Sequence, residues 1–173
     1  MPPLGPKMLN TANRKLAWVP TLADPGNPTV TEANAGIELS CLVTAANYAF
    51  GITGNEKITD PSACDDIEAS VPGRATVEAG MDFFRFKEKA DDIGWSTFTG
   101  KGIPGYLLER IGQIDEGERQ EEVPFAATDE VQVLSALTTD PKNQSPSTAG
   151  YEKFRMDFEP QRHWPRAVVA AGP

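Results

Sequence analysis

Apolar and polar residues alternate at several places along the chain, and this alternation predicts short β-strands. The clearest case covers residues 75–83, where small or apolar side chains take every second position and Glu78 and Asp82 lie on the opposite phase. Because successive side chains of a strand point to opposite faces of a sheet, a period of two is typical of a strand. The apolar phase then shifts to Phe84 and Phe86, which indicates a β-bulge or a strand covered on both faces.

Shorter alternating runs predict six further strands. They cover residues 15–22, 37–43, 48–53, 106–111, 131–137 and 154–158. The second of these runs places Cys41 on an apolar phase, so its thiol is expected to be buried. The Ala45-Ala46-Asn47 step between the second and third runs favours a hairpin that joins them.

Two short segments have helical signals. Thr29 is a suitable N-cap for one or two helical turns that would end at Gly36. Asp91 and Asp92 are suited to capping a short helix with an apolar side that packs on the sheet. The residues expected to anchor the core are Trp95, Phe98, Phe154, Met156 and Phe158. The chain is therefore predicted to be mainly β, a sandwich or barrel of about seven strands with one short flanking α-helix.

Three segments lack this periodicity. Residues 1–13 are Pro-rich and polar and are expected to form a flexible N-terminal arm, and residues 161–173 a C-terminal arm. Residues 54–72 are predicted to be a long polar loop, of a length that is usually functional or disordered. Residues 14–160 are left as a single β-rich domain, which suits a chain of 173 residues.

The charge of the chain restricts its partners. It carries 25 acidic and 16 basic residues, a formal charge of −9, whereas a protein that binds nucleic acid needs Lys and Arg to neutralise phosphates. Either simple solubility or a surface that DNA passes without binding accounts for this acidity. The sequence has no apolar run of about 20 residues, as a membrane span requires, and its first residues lack the pattern of a secretory signal. We expect no membrane partner and synthesis in a reducing cytoplasm.

No catalytic, cofactor or metal site is predicted. The one histidine, His163, has no nearby Cys, Ser or Asp grouping that a triad or a zinc site would need. Residues 100–105 match GxGxxG, but a helix precedes and a strand follows, the reverse of a dinucleotide site, and Pro104 lacks an amide for the phosphate. The acidic clusters at residues 65–68 and 115–118 do not have the spacing of an EF-hand loop.

The order of these elements resembles the major tail protein, or tail tube protein, of long-tailed siphophages, most closely versions from phages of actinobacteria. The resemblance extends from about Trp18 to Phe158. The residues that carry it are Thr29 to Cys41, Gly51 to Gly54, Asp60-Pro61, Pro72-Gly73, the helix around Trp95, and Gly105 to Arg110. These are turn and packing signatures, and none is a catalytic motif.

The resemblance implies a structural protein of the virion. In this family, six subunits form a ring, and rings stack into a hollow tube that first encloses the tape measure protein and later conducts double-stranded DNA. A subunit of this kind has copies of itself, the tape measure protein, the tail terminator and the distal tail proteins as partners. It would lie in the phage tail, after assembly in the host cytoplasm.

Candidate residues follow for this role. Glu78 and Asp82, on the polar phase of the best-marked strand, are the candidates to face the lumen, where acidic side chains would let DNA slide. The candidates for contact between rings are the two arms and the 54–72 loop, within it Asp60, Pro61, Asp65 and Asp66. Two alternatives remain open, another virion part such as a tail terminator or head–tail connector, and a small β-barrel that binds a ligand.

Overall fold

The computed structural model describes residues 8, 13–64, 67, 69–112, 118–144 and 150–172. These residues contain eight strands and two short helices. The strands are β1 (Arg14–Val19), β2 (Ile37–Glu38), β3 (Ala49–Ile58), β4 (Val71–Phe84), β5 (Pro104–Ile111), β6 (Glu130–Thr138), β7 (Lys142–Asn143) and β8 (Lys153–Val168). The helices are α1 (Val30–Asn34) and α2 (Ile93–Thr97). The prediction of a mainly β fold is confirmed.

All strands belong to one antiparallel sheet. Its order is β2-β1-β5-β6-β8-β4-β3, and β7 adds a short pairing to β8. The longest strand, β8, pairs with β4 through its first residues and with β6 through the rest. The ten-residue strand β3 therefore forms one edge of the sheet, and β4 is its only partner among the described strands.

An aromatic core fills one face of the sheet. Trp18 of β1 and Phe158 of β8 have ring centroids 5.6 Å apart, although β5 and β6 separate their strands. Because neighbouring strands are about 4.8 Å apart, β1 and β8 would be roughly 14 Å apart in a flat sheet. The sheet therefore curls around its aromatic side chains. Phe98, directly after α2, fills the centre, with its ring centroid 5.5 Å from that of Trp18 and 5.4 Å from that of Phe83.

The opposite face of the sheet is covered by α1 and by residues 118–129. A capping box begins α1, as the Thr29 hydroxyl accepts from the Glu32 amide (3.2 Å) and the Glu32 carboxylate accepts from the Thr29 amide (3.0 Å). The predicted N-cap at Thr29 is confirmed. Ala33 of α1 and Phe125 of the covering segment belong to the buried cluster on this face.

Both faces of the second half of β4 are covered, but the residues of the shifted phase are not, since Phe84 is half-buried and Phe86 is 39% exposed beyond the end of the strand. Residues 79–83 are all buried, and their pairing with β8 continues without interruption from Ala79 to Phe84. No bulge interrupts that pairing. The irregularities lie instead where β3 pairs with β4, between Ile52 and Gly54 and between Asn55 and Lys57.

The strand predicted over residues 37–43 is mostly wrong. Ile37 and Glu38 pair with β1 and the Leu39 amide donates to the Leu16 carbonyl at 2.8 Å, after which the chain turns, with the Leu42 amide donating to the Leu39 carbonyl at 2.9 Å. The alternation arose because Leu39 is buried from within a turn. Cys41 is exposed, so the prediction of a buried thiol is also wrong, and the predicted hairpin is absent because β3 pairs with β4.

The two long irregular segments are shorter than predicted. β3 continues to Ile58 and β4 begins at Val71, so the 54–72 loop reduces to the connection 59–70. The polar sequence concealed these strand ends because both of their faces are exposed.

Residues 161–168 are part of β8 and do not form a loose C-terminal arm. They pair with β6 as far as Val168, and beyond them Ala170 pairs with the start of α1, its carbonyl accepting from the Val30 amide at 3.0 Å. Pro160 and Pro165 lie next to the register shifts of this pairing. Proline cannot donate to a ladder and favours such irregular positions, so the strand lost its alternating pattern. Most of the predicted arm 1–13 lies outside the described residues.

Candidate assembly surface

A two-stranded ribbon projects from the body of the sheet. β4 pairs with β8 only from Ala79 to Phe84, so residues 71–78 of β4 have only β3 as their partner among the described strands, with residues 52–58 paired along 71–77 and Gly51 paired with Glu78. These two segments, 52–58 and 71–78, are called the ribbon. None of its residues is buried on either face, and all of residues 52–58 are exposed. An isolated two-stranded hairpin is marginally stable in water. The ribbon is therefore a segment that gains stability by binding to something else.

Apolar side chains lie exposed on the ribbon. Ile52 and Ile58 are each 49% exposed and Val71 is 62% exposed. Ile58 and Val71 are paired directly across the two strands at the far end of the ribbon. Apolar side chains that cluster on a surface mark sites of interaction with other proteins. The outer edge of β3 adds backbone donors and acceptors that another strand could pair with.

Glu78 and Asp82, the two candidate lumen acids, have different surroundings. Glu78 is exposed at the base of the ribbon, opposite Gly51 of β3. Asp82 is 3% exposed, and its carboxylate accepts from the side chains of Asn47 (2.9 Å) and Arg155 (3.4 Å). Asp82 therefore cannot face a lumen, and that prediction is wrong. Both acids share a strand phase, but β8 and the segment around Asn47 cover only the second half of β4.

The buried surroundings of Asp82 still favour its charged form. Burial alone would raise the pKa of Asp82, but hydrogen bonds from Asn47, Gln144 and Arg155, together with the Arg155 charge, outweigh it and hold the pKa below its usual range. Arg155 also contacts Asp157 at 2.7 Å, whose pKa is lowered in the same way despite partial burial. These groups are structural, because they tie β4 to β8.

The other predicted site residues divide between surface and core. Asp60 and Pro61 are exposed in the connection between β3 and β4, whereas Asp65 and Asp66 lie outside the described residues. Phe98, Phe154, Met156 and Phe158 are buried in the aromatic core, and Trp95 packs partly buried against it.

A second exposed apolar surface lies at the other end of β4. We define this end patch as Phe84 and Phe86 at the end of β4, Tyr151, whose ring centroid is 6.0 Å from that of Phe84, and Ile93 and Trp95 of α2, which Arg85 joins to the end of β4 through its contact with the Trp95 ring. Phe86, Ile93 and Tyr151 are 39%, 41% and 82% exposed. Its cations lie over aromatic rings, as the Arg85 guanidinium is 3.9 Å from the Trp95 ring centroid and the Lys153 ammonium is 5.4 Å from that of Phe84. Sequence reasoning missed the patch because its residues come from three separate segments.

A polar cleft near β1 has a volume of about 590 Å³ and a lining that includes Arg14, Tyr48 and Arg119. Beneath it lies the buried carboxylate of Glu109, which pairs with Arg14 and accepts from the Tyr48 hydroxyl at 2.8 Å. Burial and the neighbouring Glu109 raise the pKa of Tyr48. The carboxylate is fully engaged, so it is a structural group in this chain.

Within the described part of the chain, no group of three or more His, Cys, Asp or Glu side chains has a metal-binding arrangement. None of the helices in the described ranges is long and apolar enough to span a membrane.

Together the curled antiparallel sheet and its projecting ribbon define a structural β protein with surfaces suited to self-assembly. A model of the family described as phage tail tube protein matches residues 1–173, the whole chain. The chain therefore belongs to the phage tail tube protein family, whose members are structural proteins of the virion tail and not enzymes. A search of curated proteins found no match. The predicted resemblance to tail tube proteins is confirmed, while the link to phages of actinobacteria stays a prediction.

Proposed function

We propose that this chain is a major tail tube subunit of a long-tailed phage, six copies of which form a ring, and that the rings stack into a hollow tube. The tube encloses the tape measure protein during assembly in the host cytoplasm and later conducts double-stranded DNA. Its ends meet the tail terminator and the distal tail proteins. The observation that carries this proposal, beyond family membership, is the ribbon, a paired strand segment that its own chain leaves exposed on both faces.

The ribbon supports stacking because it is an incomplete structure. Ordering a segment has an entropic cost, and contacts within the subunit do little to offset it here. Contacts with a neighbouring copy would bury Ile52, Ile58 and Val71 and complete the structure. We assign to the ribbon and the 59–70 connection, which includes Asp60 and Pro61, the role of contact between rings.

Electron microscopy of the concentrated, purified chain tests this function. We expect long hollow tubes from the natural sequence. Ile58→Asp places a charge at the far end of the ribbon and is expected to leave folded subunits or single rings. Val168→Asp is the matched control, since Val168 is an apolar residue of similar exposure (42%) outside the ribbon. Single rings from the natural sequence would instead indicate a tail terminator or connector, and a monomer at every concentration would refute self-assembly.

Glu78 is the remaining candidate to face the lumen. An exposed carboxylate repels the phosphates of passing DNA, whereas a lysine at the same place would bind them. Phages that carry Glu78→Gln and Glu78→Lys should eject DNA progressively more slowly than the natural phage, and added salt should reduce the difference by screening. Ejection can be followed with a DNA-binding dye. Equal ejection rates for all three phages at low salt would remove Glu78 from the lumen.

A further inference from the structure

The end patch remains exposed because no other part of the described chain covers it. Nine large apolar side chains are exposed in the described residues, and seven of them fall on two surfaces. Four are on the ribbon and its connection, namely Ile52, Ile58, Ile67 and Val71, and three are Phe86, Ile93 and Tyr151 of the end patch. We propose that the end patch of one copy is the surface that receives the ribbon of the next copy. This inference rests on the proposed function and specifies which surfaces meet when rings stack.

The positions of the two surfaces support a head-to-tail contact. The ribbon contains the first residues of β4, and the end patch surrounds the last. β4 has 14 residues, and at about 3.3 Å per residue its ends lie up to roughly 45 Å apart. A single copy therefore cannot bring its own ribbon onto its own patch. Two different surfaces at opposite ends of a subunit make a heterologous contact, which generates a ring where the rotation closes and a filament where it does not, and the stacking of rings is the open case.

The charges of the two surfaces are complementary in sign. Residues 56–72 contain five acidic residues and one basic residue, a formal charge of −4. Residues 84–101 contain four basic and three acidic residues, a formal charge of +1 within a chain of −9. Among the ion pairs found in the described residues, Lys87, Lys89 and Lys153 have no carboxylate partner. These lysines are available to the acidic connection of a neighbour, and such complementarity sets partner orientation more than affinity.

The apolar and aromatic side chains of the end patch are also suited to binding the ribbon of a neighbouring copy. The ribbon presents aliphatic side chains, Ile58 and Val71, at its far end. The patch presents aromatic rings of which Trp95 and Phe84 already hold cations nearby. Aromatic residues and arginine at the centre of a patch with a charged rim are the usual composition of a protein–protein contact.

A mixing experiment with the full-length chain tests the proposal. Phe86→Asp disables the end patch, and Ile58→Asp disables the ribbon. Each variant alone is expected to form no tube, because each stack needs both surfaces. An equal mixture should form one additional species, a particle of two layers in which an intact ribbon meets an intact patch. Sedimentation velocity and electron microscopy distinguish single layers, double layers and tubes. Val168→Asp should form tubes like the natural sequence.

The outcomes separate this inference from the proposed function. If the natural chain forms tubes and Phe86→Asp forms them equally well, the end patch is not the receiving surface, although the chain remains a tube subunit. If the mixture forms no double layer, ribbon and patch do not meet. If the natural chain forms no tubes, the proposed function itself fails. Each variant must keep the circular dichroism spectrum of the natural chain and unfold cooperatively, which excludes misfolding as the cause, whereas its midpoint is compared only with that of other non-assembling variants because assembly raises the midpoint of the natural chain.

A charge exchange provides a second variant set that leaves the aromatic residues in place. Lys87→Glu with Lys89→Glu should slow tube growth, most strongly at low salt. Combining it with Glu56→Lys and Asp60→Lys should restore growth, since the signs are then reversed on both surfaces. Failure of the second pair to restore growth would refute the ionic part of the contact.

Discussion

Arg110 holds residues 118–129 against the sheet, and its replacement by lysine tests how that segment is stabilised. The guanidinium is 1% exposed, and each of its five N–H groups donates a hydrogen bond. Nε donates to the Gln120 side chain (2.9 Å), and Nη2 donates to the carbonyls of Gln120 (3.3 Å) and Val123 (2.8 Å). Nη1 donates to the Pro124 carbonyl (2.8 Å) and to Asp129 (2.6 Å). Arg110 therefore satisfies acceptors that would otherwise be buried without partners.

The expected magnitude follows from the number of donors. Lysine has three N–H donors on a side chain without the planar fork, so at least two of these five bonds are lost in Arg110→Lys. A buried acceptor left without a partner costs about 1–3 kcal/mol, which gives a loss of roughly 2–6 kcal/mol. For a chain of this size, each kcal/mol lowers the melting temperature by about 2–4 °C. The loss is a large part of a typical stability of about 5–15 kcal/mol.

The assay is thermal and urea unfolding of Arg110→Lys, followed by circular dichroism. Both it and the reference carry Ile58→Asp, so that stacking into tubes does not contribute to the difference in stability, and both are unfolded at the same protein concentration. Arg166→Lys is the matched control, because Arg166 makes an exposed ion pair with Glu130 at 3.2 Å, and such pairs contribute little to stability. We expect a large fall in the midpoint for Arg110→Lys and almost none for the control. Equal midpoints for the two variants would refute the argument that buried donors fix this segment.

Two further predictions concern His163, which is half-buried, and Gly105, which is buried. Both ring nitrogens of His163 are buried and lack a hydrogen-bond partner in the described structure, and burial lowers its pKa. Because the unfolded chain then binds a proton more readily than the folded one, the free energy of unfolding should fall as the pH drops below about 6.5. Unfolding midpoints measured from pH 7.5 to 5.5 should therefore change less in His163→Leu than in the natural chain. An equal dependence of the midpoint on pH in both proteins would contradict this. Gly105→Ala places a methyl group against the Trp18 indole and should lower the free energy of unfolding by about 1–3 kcal/mol. Gly54→Ala is the control, because Gly54 has open space around it and its replacement should not lower stability in this way. Similar melting temperatures for the two variants would show that Trp18 can move.

Features that depend on neighbouring residues were predictable from the sequence. The capping box of α1 needs only Thr29 and Glu32, which are three residues apart, and the helix begins where they predict. In the second half of β4, Met81 and Phe83 alternate with Asp82 because they pack in the aromatic core while the Asp82 carboxylate accepts hydrogen bonds from Asn47 and Arg155, and this part of the strand lies where the alternation predicts it. The aromatic residues Phe98 and Phe158 are large and apolar enough to be buried under almost any arrangement of the strands.

Features that depend on distant residues were not predictable in this way. The last part of β8 is a strand because it pairs with β6. The residues around Pro160 and Pro165 have no local pattern that predicts this pairing. Asp82 and Glu78 have the same phase and chemistry, yet one is buried and the other exposed, since Arg155 and Asn47 approach only Asp82. The alternation identified the side of the strand correctly but could not show how far β8 covers it.

The ribbon shows most clearly why a polar sequence was mistaken for a loop. Alternation arises when one face of a strand is buried and the other meets water, and the ribbon has both faces exposed in the single subunit. The core of the same chain therefore does not impose a pattern on these residues. If another copy covers Ile58 and Val71, the apolar residues that complete the pattern of the ribbon are those of the end patch, which come later in the same sequence. For a protein that completes its fold by assembly, the apolar residues that pack together belong to two copies. The periodicity of a single chain therefore cannot show which of its residues become buried.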